Sequence, residues 1–232
     1  HCSTKARVPH VIQTQEGASF LEKHGHLYAV LEFLDATPFN GDKTLLGPIG
    51  REIATLHQSL KTLPRHLQDH CAQFGTRFHF AKGEQQDLFD RLQKHTHEVS
   101  AYCSKEDIAL LLNAFHNHHP IAPKHCQVIH RDLHGDNLLI SPDKNIWIID
   151  FDALTYDERL RDVAFACHRL SCLPSPHQPI GETQDRAMSF LSGYHSQWPL
   201  SSTDRLDLAP YIIDEALRRT AYILKAVFHN KD

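Results

Sequence analysis

A chain of 232 residues fits one large domain or two small ones, and 41% hydrophobic content is ordinary for a globular protein. The net charge of −4, with His counted neutral, comes without a basic stripe and argues against a nucleic-acid partner. No apolar run approaches the ~20 residues of a membrane helix, and the opening HCSTKARVPH lacks the apolar segment of a signal peptide.

Residues 8–34 read as strands. Val8-Pro9-His10-Val11-Ile12 is short and extended, Gly25 marks a turn, and His26 to Leu34 is apolar with aromatic and β-branched residues. From Thr44 the period becomes helical: Pro48 suits a first turn, Ile49, Ile53, Leu56 and Leu60 recur on one face, and Pro64 ends the segment. His57 lies on that face and reads as a core histidine. Leu88, Phe89 and Leu92 suggest a second helix. A third starts at Ser104, an N-cap with Asp107 three residues on, and carries Ile108, Leu111, Leu112 and Phe115. Among the 20 histidines, His116-Asn117-His118-His119 precedes Pro120 and reads as a solvated helix end. Cys126 to His130 reads as a strand. Leu138–Ser141 and Asn145–Asp150 form a predicted hairpin around Pro142-Asp143-Lys144. The remainder is read as helix over about 157–171, 182–195 and 204–229, the last with a broad apolar face. The six cysteines are scattered without a C-x-x-C and read as reduced, cytoplasmic thiols.

The stretch VIHRDLHGDNLLISPDKNIWIIDFD, residues 128–152, sets His130, Asp132, His134, Asp136, Asn137, Asp150 and Asp152 among strongly apolar runs. Carboxylates near buried strands are costly unless a cation or substrate meets them. One reading takes His130, Asp132 and His134 as an H-x-D-x-H metal site of a hydrolase, because alternate residues of a strand share a face. It leaves Asn137 and the second acidic group unused. The other reading uses them all: H-R-D-x-x-x-x-N followed by a strand ending in Asp-Phe-Asp is the layout of a phosphoryl-transfer site. A phosphoryl group in transfer is highly charged and calls for a divalent metal. Asn137 and Asp150 supply hard oxygen ligands, and Asp152 is a further candidate. Asp132 is placed to accept the proton of an acceptor hydroxyl. His130 reads as a support that bonds the loop backbone.

On these motifs the chain resembles the protein-kinase-like small-molecule phosphotransferases of the aminoglycoside phosphotransferase and choline kinase type. Leu27 to Phe33 looks like the last N-lobe strand and the hinge, Gly50 to His57 like the helix after it, and Arg161-Asp162-Val163-Ala164 like the helix start that follows the metal-binding Asp. The resemblance implies an α+β fold: partial N-lobe strands over 1–34, then a mainly helical C-lobe over 35–232 with a buried catalytic β-hairpin. It implies ATP and Mg2+ as cofactors, with adenine against the backbone near Glu32 and Leu34 and packed by Leu139 and Ile149. Asp162 would brace the catalytic loop, and His134 would face the substrate. The implied partner is a small-molecule hydroxyl compound: an aminoglycoside, choline, a sugar or an amino alcohol such as homoserine. The oligomeric state is left open. Two departures separate the chain from protein kinases. Asp152 replaces the Gly of D-F-G, and only nine residues separate Asp152 from Asp162, too few for an activation segment. His134 also stands where Ser/Thr kinases carry Lys. No G-x-G-x-x-G and no V-A-I-K-like strand precede Val8. With a start that lacks Met, those parts are expected upstream; the alternative is a non-catalytic pseudokinase or scaffold.

Overall fold

The computed structural model describes residues 5–73, 83–118, 121, 123–175 and 178–228. In chain order they form strands β1 (Val11–Ile12), β2 (Leu21–Lys23), β3 (His26–Tyr28), β4 (Val30–Leu31) and β5 (Thr37–Pro38), then helices α1 (Leu46–Lys61), α2 (Arg65–Ala72), α3 (Glu84–Lys94), α4 (Thr96–Val99) and α5 (Lys105–Asn117). Strands β6 (Cys126–Ile129), β7 (Leu138–Ile140), β8 (Ile146–Ile148) and β9 (Thr155–Glu158) follow, then α6 (Arg159–Ser171), α7 (Ile180–Gln197) and α8 (Ser202–Phe228). The architecture is α+β. The chain divides into two compact units, one made of segments His1–Leu63, His130–Ala153 and Arg169–Pro199, the other of Pro64–Ile129, Leu154–His168 and Leu200–Asp232.

The first unit is built on α1 and α7. The apolar face predicted for α1 is buried, with Leu46, Ile49, Ile53 and Ala54 all at 0% exposure, and α7 contributes Phe190 and Tyr194. Glycines let the two backbones nearly touch: a Cβ on Gly50 would stand 2.2 Å from the Phe190 carbonyl oxygen, and one on Gly193 2.0 Å from that of Gly47. His57 is the core histidine expected, with its Nδ1 2.7 Å from the Tyr194 hydroxyl. Strands β5, β7 and β8 form an antiparallel sheet in that order, in register through Pro38↔Leu139, Leu138↔Ile148 and Leu139↔Trp147. The predicted hairpin is therefore present, with a third strand at one edge that the sequence reading did not anticipate. The N-terminal strands pair as β1–β4 and β2–β3, and their apolar residues Leu21, Leu27, Tyr28, Val30 and Leu31 are exposed.

In the second unit Leu88, Leu92, Val99, Ile108, Phe115, Leu217, Ala221 and Leu224 share one core. Ser104 caps α5, and the reciprocal bonds of a capping box with Asp107 are both made. Three readings need correction here. Residues 155–158, partly read as helix, form β9, which pairs antiparallel with β6 through Cys126↔Glu158 to Ile129↔Thr155. Helix α2 was not foreseen, because its eight residues bury only Cys71 and carry almost no apolar period. The unit also buries an ion network. Arg161, on α6, meets Asp157, Asp214 and Glu215, and Arg218 bonds Asp214 at 2.6 Å. The solvated helix end is also corrected at His118, whose side chain is 5% exposed and stands 2.8 Å from Asp214, while His116 packs on Phe89; the readings for His119 and Pro120 lie outside the described residues.

Candidate active site

From His130 on, the stretch singled out in the sequence lies in the first unit, from the end of β6 to the turn after β8. Of its three non-glycine residues with left-handed backbone, Lys144, with φ 60°, lies in the hairpin turn, and the other two are Arg131, with φ 76°, and Asp150, with φ 64°. Such conformations cost of order 1–3 kcal/mol each and persist only where the surroundings impose them. Here they sit beside the carboxylates of interest.

His130 is fully buried, and its ring nitrogens are committed to the loop. Nε2 donates to the Ile149 carbonyl at 3.0 Å, since a carbonyl only accepts, and Nδ1 then accepts the Asp132 N–H at 3.3 Å. The ring also packs against Phe151, with centroids 4.8 Å apart. His130 thus ties the loop to the end of the hairpin, in the supporting role expected. It does not turn toward Asp132 and His134 as an H-x-D-x-H site requires. Among the described residues, no group of three or more His, Cys, Asp and Glu is placed to hold a metal.

Asp132 and Asn137 are joined directly. The Asn137 amide nitrogen donates to the Asp132 backbone carbonyl at 2.9 Å and to its Oδ2 at 3.1 Å. Both N–H bonds of that amide are then spent on Asp132, which leaves the Asn137 Oδ1 for a metal. The Asn137 backbone carbonyl accepts from the Ile149 N–H at 3.1 Å, so the residue before Asp150 is stitched to the asparagine. Asn137 directly precedes one strand of the hairpin and Asp150 follows the other. Asp150 and Asp152 are both exposed, and the Asp152 N–H reaches Asp150 Oδ1 at 3.4 Å. His134 lies between Asp132 and Asp136, with Nε2 3.3 Å from Asp132 Oδ2 and Nδ1 3.4 Å from Asp136 Oδ2.

The loop is held from below by a residue the sequence reading missed. The Phe39 N–H bonds the carbonyls of Gly135 (3.1 Å) and Leu138 (2.8 Å). Position 135 has to be glycine for this approach, since a Cβ there would stand 2.9 Å from the Phe39 oxygen. No sequence signal marked Phe39, because its partners are almost a hundred residues away.

At the other predicted subsite, Glu32 and Leu34 follow β4. The Glu32 N–H donates to His10 O at 2.9 Å and the Leu34 carbonyl accepts from Ala36, which leaves the Glu32 carbonyl and the Leu34 N–H without a protein partner among the described residues. Leu139 and Ile149 are half-buried on and beside the hairpin. Asp162 is fully buried in the first turn of α6 and belongs to the second unit.

Comparison with known proteins places this geometry in context. A sequence model described as "Phosphotransferase enzyme family" matches residues 3–195. A spectinomycin phosphotransferase solved with AMP is similar at TM-score 0.61 and 17% identity, covering 97% of this chain and 72% of its own. An amicoumacin kinase in complex with AMP-PNP and Ca2+ gives TM-score 0.63 at 14% identity, over 95% of this chain and 65% of its own. A microcompartment-associated aminopropanol kinase gives 0.55 at 22% identity, over 94% and 67%. This chain therefore spans about two thirds to three quarters of the length of these structures, and at such identities the likeness concerns the fold.

Proposed function

The chain belongs to the phosphotransferase enzyme family, small-molecule phosphotransferases on the protein-kinase-like fold, and from that premise we propose that it transfers the γ-phosphoryl group of ATP, with Mg2+, to a hydroxyl of a small molecule. The observation that carries this is the Asp132–Asn137–Ile149 chain of bonds, which ties Asp132 to Asn137 and Asn137 to the residue before Asp150. Asp132 accepts the acceptor's hydroxyl proton as its oxygen bonds the γ-phosphorus; the bond from that phosphorus to the β–γ bridging oxygen breaks, and ADP leaves. Asn137 Oδ1 and the Asp150 carboxylate would hold Mg2+, and Asp152 is a further candidate ligand; the donor set is the all-oxygen one this cation prefers. The metal supplies neutralisation of phosphate charge. The Glu32 carbonyl and Leu34 N–H offer one acceptor and one donor to the adenine edge, and Leu139 and Ile149 offer it an apolar surface. The acceptors to try first are those of the similar structures and of the wider resemblance: aminopropanol, choline, homoserine and spectinomycin.

The test is thermal. Ligand that binds only the folded state stabilises it, by about 2.7 kcal/mol at a hundred times Kd. In a protein that carries the strand Lys and phosphate loop expected upstream, millimolar Mg-ATP is expected to raise the melting temperature, and Mn2+ or Zn2+ alone to do little. Stabilisation by zinc without nucleotide would point to the H-x-D-x-H hydrolase. No response to Mg-ATP would leave the pseudokinase reading.

A further inference from the structure

We propose that His134 is a positioning residue for Asp132, fixing which carboxylate oxygen takes the proton; this rests on the phosphotransferase reading above. His134 caps the short turn Gly135–Asn137: its Nδ1 accepts the Asp136 N–H at 3.3 Å. A backbone amide only donates, so Nδ1 carries no proton in the neutral ring and the proton sits on Nε2. The Asp136 carboxylate, 3.4 Å from the same Nδ1, is 85% exposed.

The loop backbone thus sets the tautomer, and the tautomer aims an N–H at Asp132. Nε2 stands 3.3 Å from Asp132 Oδ2, the oxygen that already accepts from Asn137 Nδ2 at 3.1 Å. Oδ2 is flanked by two donors on opposite arms of the loop, whereas Oδ1 has no partner among the described residues. A carboxylate so held cannot rotate to exchange its oxygens without losing both. Oδ1 is therefore the face presented to an acceptor hydroxyl. The His134 contact is long for a hydrogen bond, and catalytic bonds of this kind tighten when substrate is bound. Misplacement of a reacting group by about 1 Å costs on the order of 10²-fold in rate, so loss of one of the two clamps is expected to be visible in kcat.

Two substitutions separate this role from simple capping. His134→Asn keeps an acceptor at the Nδ1 position, and hence the cap, but does not reach Asp132. His134→Gln places an N–H where Nε2 stands and gives up the cap. With the best acceptor of the panel above, or water as acceptor read as phosphate release from Mg-ATP, His134→Asn is expected to lower kcat by ~10-fold or more. Melting temperature and the Mg-ATP shift should stay as in wild type, and His134→Gln should recover most of kcat. In an Asp132→Asn background, His134→Asn should cost nothing further. The reverse order, with Asn active and Gln inactive, would make His134 a cap only and overturn the proposal, as would equal activity or equal loss in the two variants. If the wild-type protein transfers phosphate from Mg-ATP to neither water nor any acceptor, the phosphotransferase reading itself fails, and that outcome is distinct from any ordering of the variants.

Discussion

Asp157, Asp214 and Glu215 of the second unit are 3%, 0% and 6% exposed, and each is met by the Arg161 guanidinium. The Asp132 side chain is 39% exposed, Asp150 and Asp152 are open to solvent, and within the first unit no lysine or arginine is paired with any of them among the described residues. The second unit therefore cancels its carboxylate charge internally. The first leaves it directed outward, on a loop whose backbone is left-handed at Arg131 and Asp150. Buried and neutralised carboxylates serve architecture. Exposed carboxylates, fixed by amides and imidazoles and left without a cation, are suited to meeting a charged ligand.

The largest effect that would break this comparison is in the second unit. Arg161→Ala removes the guanidinium shared by three buried carboxylates and is expected to cost about 3–5 kcal/mol of stability, read as a fall in the urea midpoint. A loss under 1 kcal/mol would mean that the network is incidental. Arg161 also packs its guanidinium 5.2 Å from the Tyr211 ring, so part of the loss is packing.

The second effect is on acid stability. Burial by itself would raise the pKa of Asp214, but Arg218 and Arg161 beside it win and hold it below the ordinary carboxylate value. A carboxylate whose folded pKa is depressed contributes stability that is present above its unfolded pKa, about 3.9, and is lost as pH falls through the folded value. Urea stability should therefore decline as pH drops below about 4, and Asp214→Asn should be less stable at pH 7 but flatter on the acid side. An unchanged acid slope would contradict the assignment.

The smallest expected effect belongs to the first unit: Asp132→Asn should alter urea stability by no more than about 0.5 kcal/mol, as for other solvent-reaching positions. A large loss would place Asp132 with the structural carboxylates.

What the sequence revealed follows the same division. The capping box at Ser104, the apolar face of α1, the hairpin and the His130–Asn137 spacing are local patterns, and each appears where local chemistry predicts. Strand β9 was misread because Thr155–Glu158 runs straight into α6 and is a strand only by virtue of its partner β6. The pairing of Arg161 with Asp214 spans 53 positions and leaves no local trace. Nor does the Phe39 contact with the candidate loop, or the left-handed backbone at Arg131, a residue type that does not announce positive φ. The residues that come together at the candidate site were legible; the strain and the distant supports that hold them were not.

The central claim is that Asp132 handles the proton while Asp150 handles the metal. It is tested by measuring Mg-dependent ATP affinity and turnover for Asp132→Asn and Asp150→Asn side by side. Asp132→Asn should lose at least ~10²-fold in turnover with ATP affinity little changed, and Asp150→Asn should lose Mg-dependent ATP binding together with turnover. If Asp132→Asn loses the metal and Asp150→Asn keeps it, the account is wrong.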